Sequence, residues 1–266
     1  MPFAENNDCK IHYRVEAKGN VLVLIAGLGA DMNYWPPAFI RLLKKNFKLV
    51  LIDNRGAGLS GKPDEKYTVK KMAHDVLCVL DHAGINNANI CGISLGGFIA
   101  QEFVINYPEK VNKCILIATH FGGPNRVKPD FNDTAKLVPD PKLSREENAK
   151  KALSVLYSVN FLNKHEKALL RFFSREKKNP MPAHAFLRQN AAGKDYISET
   201  RLQNVKCPVL ILQGDEDKII KPGNAKLMEG KLKNAKAVIF PGAGHSLPVE
   251  KPGESAKYIT DFILDI

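Results

Sequence analysis

The feature that most constrains this chain is a rhythm of short, near-continuous apolar runs, each followed by apolar residues at helical spacing. Val21-Leu-Val-Leu-Ile25 leads through a loop to a helical stretch around Phe39 to Leu43. Lys48 to Asp53 leads into Tyr67 to Ala83, Asn89 to Ser94 into Gly97 to Asn106, and Lys113 to Ala118 is the fourth run. Runs apolar on both faces, alternating with helices, imply a parallel sheet covered on both sides. Ahead of them, Cys9 to Glu16 alternates and is expected to pair with Met1 to Glu5 as a hairpin turned at Asn7-Asp8.

The rhythm stops for about eighty residues and resumes with Pro208 to Gln213, a helix near Asn224 to Lys231, the strand Ala237 to Phe240 and a closing helix from Pro252 to Ile266. The chain therefore reads as an α/β fold: a mostly parallel central sheet with helices on both faces, and an inserted helical cap. Residues 1–119 and 201–266 are the expected core and 120–200 the cap, a division that suits one large domain of 266 residues. Within the cap, Ser144-x-x-Glu147 and Asn163-x-x-Glu166 read as helix N-terminal boxes.

Residue types exclude other classes. The five cysteines are odd in number, widely spaced and without a C-x-x-C pair, and four lie beside or within apolar segments, where a reduced thiol packs as a small hydrophobe. A disulfide framework and a zinc site are both disfavoured. The first residues lack the basic and apolar regions of a secretory signal, and Val21 to Ala26 is too short to span a bilayer. A cytoplasmic protein without a membrane span is the expectation. The net charge of +11 raises the question of a polyanion, but the basic residues are mostly lysine, interleaved with Asp and Glu. With no recognition-helix, zinc-finger or RNP pattern, they read as a solvated surface rather than a nucleic-acid interface.

Gly92-Ile-Ser94-Leu-Gly96 closes one apolar run and opens a helical stretch. In that setting G-x-S-x-G means a serine on a strained strand-to-helix turn, with flanking glycines that let strand and helix approach. A serine hydroxyl needs a neighbouring base. Of seven histidines, His245 follows an apolar strand in the loop Pro241-Gly-Ala-Gly-His245, at the carboxyl edge where open α/β sheets hold their sites. His12, His74, His82, His165 and His184 fit surface or core roles, whereas His120, just past a strand end, is a candidate pocket-lining residue. The imidazole needs a carboxylate to hold its tautomer, and Gln213-Gly-Asp-Glu-Asp217 offers Asp215, Glu216 and Asp217. One oxyanion donor should be the N–H of Leu95, directly after the serine; the other should come from Ala26-Gly-Leu-Gly29, with Leu28 the choice.

Together these segments resemble the α/β-hydrolase superfamily, in its serine esterase branch with a helical cap, over nearly the whole chain outside the inserted lobe. Gly27-Leu-Gly29 with Trp35 resembles the oxyanion segment, and Asp53-Asn-Arg-Gly-Ala-Gly-Leu-Ser60 the loop that braces it. Gly214-x-x-Asp217 and Gly242-Ala-Gly-His245 are similar to the family's acid and histidine turns, so the resemblance selects Asp217 among the three acids. It implies acyl transfer to water through an acyl-enzyme on Ser94, with no cofactor and no metal. Serine rather than aspartate at the elbow disfavours dehalogenase and epoxide hydrolase chemistry. One position departs: Ala26 stands where the family usually has histidine, which leaves the bracing of that loop open.

The expected substrate is a small-molecule carboxylic ester or lactone of small to medium acyl size. Phe131, Leu156, Tyr157, Phe161, Leu169, Phe172, Phe173 and Phe186 in the cap point to an apolar acyl pocket, although residues at helical spacing also pack a lobe onto itself. Residues 120–200 hold fifteen Lys or Arg against nine Asp or Glu, a surplus of six. A second expectation follows, a thioesterase or methyl-ester hydrolase acting on chains held by an acidic acyl carrier protein, with Arg126, Arg145, Arg171, Arg175 and Arg188 as its contacts. A third is a binding or signalling protein that keeps the fold without turnover.

Overall fold

A computed structural model describes residues 2–174 and 178–266. Eight strands form one sheet: Phe3–Asn6 (β1), Cys9–Glu16 (β2), Asn20–Ile25 (β3), Phe47–Ile52 (β4), Ala88–Ile93 (β5), Val111–Ile117 (β6), Val209–Gly214 (β7) and Ala235–Phe240 (β8). Their order is β1-β2-β4-β3-β5-β6-β7-β8. β1 pairs antiparallel with β2, and β2 with β4; all later neighbours are parallel.

The central strands β3 to β7 are mostly apolar because each face meets its own helices. Val23, Ile25, Val50, Ile52 and Ile211 join one core, and Leu22, Leu24, Leu49, Leu51 and Leu210 the other. A one-residue slip in any strand would exchange the two sets. The first core is closed by Val69–His82 (α2), Leu95–Asn106 (α3) and Gly223–Lys231, through Met72, Ile99 and Met228. The second is closed by Pro37–Leu43 (α1) and Pro252–Leu264, through Phe39, Leu43, Ile259 and Ile263.

Between β6 and β7 the chain forms Phe131–Ala135 (α4), Arg145–Leu156 (α5), Val159–Ser174 (α6), Ala183–Asp195 (α7) and a 3-10 turn at Glu199–Asn204. After β7 come Gly223–Lys231 (α8), Leu247–Glu250 (α9) and Pro252–Leu264 (α10). α5 opens on a reciprocal capping box between Ser144 and Glu147. The second box is a correction. Asn163 and Glu166 lie inside α6, which starts four residues earlier because Ser158 caps it: its carbonyl accepts the Leu162 N–H at 2.9 Å, and its Oγ faces the Phe161 N–H at 3.4 Å.

The rings expected to line an acyl pocket mostly pack the lobe onto itself. Tyr157 and Leu169 form a small core with Leu153, against which Leu156, Phe161 and Phe173 pack. Phe131 is 81% exposed, and Phe172 is also exposed. No helix among the described residues is long and apolar enough to cross a membrane.

Candidate active site

The sheet reverses its direction of winding between β3 and β5, so the connections leaving these two strands run to opposite sides, the arrangement that places ligand sites at the carboxyl ends of open α/β sheets. Ser94 stands at that point, between β5 and α3, with φ 56° and ψ −118°. This conformation is strained for a residue with a side chain, and the surrounding bonds hold it. Ser94 N–H donates to Ile117 O at 3.0 Å, and Ser94 O accepts from Gly97 N–H at 2.9 Å and Thr119 Oγ1 at 3.0 Å. The flanking glycines are sterically required. A Cβ on Gly92 would lie 2.1 Å from Gly96 O, and one on Gly96 would lie 2.2 Å from Ile25 O.

The loop after β3 lies against the serine: a Cβ on Gly27 would sit 3.3 Å from Ser94 Cβ. The N–H groups of Leu28 and Leu95 have no protein acceptor among the described residues, which leaves both available to an oxyanion. The position that departs from the family pattern is braced through its backbone, since Ala26 O accepts from Asn54 Nδ2 at 2.9 Å. Asp53 completes the brace by accepting Met32 N–H at 2.8 Å and Leu59 N–H at 3.0 Å. α7 rests on the same loop. Gln189 Oε1 accepts Gly29 N–H at 3.0 Å while its Nε2 donates to Arg55 O at 2.7 Å, and the Phe186 ring lies beside Gly29. Nothing local in the sequence signals Gln189, because both partners lie more than a hundred residues away.

At the ends of β7 and β8 the three candidate acids separate. Asp217 Oδ2 lies 2.8 Å from His245 Nδ1, with both side chains buried. Its Oδ1 accepts the N–H groups of Ile219 and Ile220, each at 2.8 Å, and Gln213 Nε2 donates to Oδ2 at 3.0 Å. Asp215 instead accepts Gly242 N–H, and Glu216 faces Val159 N–H. The turn carrying His245 is clamped on both sides by the α5–α6 junction. Ser246 N–H donates to Leu156 O at 2.9 Å, while Glu250 accepts Gly244 N–H at 2.9 Å and Ser158 Oγ at 2.5 Å. Burial pushes the Glu250 carboxyl up, against these donors. Sequence reasoning missed Glu250 for the same reason as Gln189, with Ser158 ninety-two positions away.

His120 follows β6 and is buried against Phe98, with Nδ1 accepting Gly122 N–H at 2.9 Å. Burial, and secondarily the charge of Arg126, push its pKa down to about 3. Of the other arginines considered, Arg188 Nε donates to Asp64 at 2.9 Å, Arg145 begins α5 and Arg171 is exposed on α6. Arg175 lies outside the described residues. Among the described residues no group of His, Cys, Asp and Glu side chains could hold a metal ion.

A family model described as the alpha/beta hydrolase fold matches residues 20–252, and the chain belongs to that family. It is 26% identical over 243 residues to a poly(3-hydroxyalkanoate) depolymerase of Ectopseudomonas oleovorans, covering 91% of this chain and 83% of that protein. An enol-lactonase from Burkholderia xenovorans superposes with a TM-score of 0.86 at 22% identity, covering 99% of this chain and all of that one. An esterase from Exiguobacterium antarcticum does so with a TM-score of 0.86 at 21% identity, over 98% of each chain.

Proposed function

We propose that this protein is a serine hydrolase of carboxylic esters or lactones, with Ser94 as nucleophile, His245 as base and Asp217 as the acid that orients it. The observation that carries the reading is the buried 2.8 Å contact between Asp217 and His245 Nδ1, on the same sheet edge as the strained Ser94 turn. That contact fixes the proton on Nδ1 and leaves Nε2 as the basic nitrogen. The depolymerase, enol-lactonase and esterase similar to this chain support the choice of substrate class.

In acylation, Ser94 Oγ forms a bond to the substrate's carbonyl carbon while His245 Nε2 takes the hydroxyl proton. The carbonyl oxygen becomes an oxyanion facing the Leu28 and Leu95 N–H groups. Collapse breaks the bond to the leaving oxygen, which receives the proton from Nε2. Water then attacks the acyl-enzyme by the same route in reverse, releasing the acid and restoring Ser94.

The test is labelling by a fluorophosphonate probe, read by intact mass, on the wild type and Ser94→Ala, followed by turnover of a p-nitrophenyl ester series. Labelling lost in the variant, with ester turnover in the wild type, is the expected result. A folded wild type that takes no label and hydrolyses no ester overturns the reading.

A further inference from the structure

A cavity of about 340 Å³ lies between β2 and α1, and Ser94, Asp217 and His245 take no part in its walls. That volume is within the range of small-molecule sites. Its two sides follow from the fold. On β2, Arg14 and Glu16 stand opposite Leu51 and Leu49, so they share the face of the sheet that α1 covers. On α1, Phe39 and Leu43 turn into the second core. Pro37, Ile40 and Arg41, with Lys44 just past the helix end, form a stripe at i, i+3, i+4 and i+7 that lines the cavity instead. Met32 and Trp35 complete the lining; both are buried, and Trp35 stacks on Phe39 with ring centroids 5.6 Å apart.

The cavity joins this apolar floor to a cationic rim. Glu16 takes Arg14 Nε at 2.5 Å and Lys44 Nζ at 2.9 Å, so a single carboxylate ties the cation of β2 to that of α1. Arg41, one turn before Lys44, pairs with no carboxylate among the described residues. Asp31, on the turn before Met32, accepts Asn33 N–H at 2.8 Å. Three lining cations thus share one paired acid, a surplus of two positive charges on one concave wall. Arg55 shows the contrast, since its guanidinium meets Asp75, Asp8 and Glu65. A cleft walled by one sign of charge concentrates its field on an ion of the other sign.

We propose that this cavity binds a phosphate monoester with a small apolar body, its oxygens held by Arg14, Arg41 and Lys44 and its body resting on Met32, Trp35 and Ile40. A phosphate monoester carries about 1.5 to 2 negative charges at neutral pH and three strong acceptor oxygens, which match the surplus and the number of donors. Guanidinium forks bind phosphate in pairs of parallel bonds, and an ammonium adds a point charge. Inorganic phosphate would satisfy the rim and leave the apolar floor uncovered. The site stands apart from the hydrolase reading, since no residue assigned to that chemistry lines it.

The test uses phenyl phosphate, inorganic phosphate and phenol as probes. Trp35 is the only tryptophan of the chain, so its emission reports on the cavity. Each probe is titrated into the wild type, Arg41→Gln, Arg14→Gln and Arg41→Lys, with binding read by calorimetry and by Trp35 fluorescence. Phenyl phosphate should bind at least about tenfold more tightly than either fragment and change the Trp35 emission. Arg41→Gln and Arg14→Gln should each weaken it about ten- to hundredfold, and Arg41→Lys should regain part of the loss. Absence of both heat and emission change up to about 10 mM phenyl phosphate overturns the site. Binding that neither glutamine variant weakens overturns it too, because the ligand then sits elsewhere. Inorganic phosphate bound as tightly as phenyl phosphate overturns the assignment of an organic ligand.

Discussion

Gly244 N–H donates to Glu250 at 2.9 Å, so the residue before His245 is held by a carboxylate that also takes the hydroxyl of Ser158 at the α5–α6 junction. The turn carrying the histidine is therefore tied to the segment that joins α5 and α6. A glutamine at position 250 would offer one acceptor oxygen and set an amide N–H₂ against donors. Glu250→Gln should lower kcat by roughly ten- to hundredfold with a smaller change in KM, because a small misplacement of a base is costly. Ser158→Ala should shift kcat in the same direction by less. Steady-state kinetics beside thermal melts check this: a lower melting temperature with kcat unchanged would assign Glu250 to stability alone.

Asp217 accepts from His245, Ile219, Ile220 and Gln213 at once. Asparagine in its place leaves the imidazole free to take the other tautomer, so Asp217→Asn should cut kcat by about 10³- to 10⁴-fold. It should also lower stability by about 1–3 kcal/mol by disturbing buried donors. Ester turnover and denaturant melts read the two effects separately.

His120 links the site to acid stability. Below the ordinary histidine pKa of 6.5 the unfolded chain takes up a proton that folded His120 refuses until about 3. The unfolded state then binds more protons, so this residue's contribution to stability is lost as pH falls through that window, by up to about 1.4 kcal/mol per pH unit. His120→Gln removes the proton uptake. Denaturant melts between about pH 6 and 4 should show a flatter loss in the variant; identical slopes would contradict the prediction.

The elbow tolerates no side chain at Gly96, where a Cβ would meet Ile25 O at 2.2 Å. Gly96→Ala should fail to accumulate as folded protein, whereas Gly230→Ala, with open space around its Cβ, should behave as the wild type. Soluble yield and circular dichroism of the two variants decide it.

What was legible in the sequence is what local pattern carries. β3 through β7 could be read because strands buried on both faces leave long apolar runs, and the Ser94 turn because its glycines are spaced by contact with neighbouring backbone. The choice among Asp215, Glu216 and Asp217 could not be read from the turn itself; three acids in a row have the same local pattern, and only the fold directs them to different partners. The start of α6 was misread because Asn163 and Glu166 mimic a box, while the residue that caps the helix, Ser158, is also recruited by Glu250. Gln189 and Glu250 left no trace because a polar side chain bonded across the fold looks like any solvated helix residue.

Helices α4 to α7 interrupt the chain after Ser94 and before Asp217 and His245, which orders their appearance during biosynthesis. As the polypeptide emerges from the ribosome, the strand leading to Ser94 appears first, then helices α4 to α7, and only afterwards β7 and β8, which lead to Asp217 and His245. On the proposed mechanism, an unfinished chain would carry Ser94 without its base. On that mechanism Ser94 would be chemically silent through most of translation and would gain its base only when the last strand docks, so a nascent chain would attack no ester before its own sheet is complete.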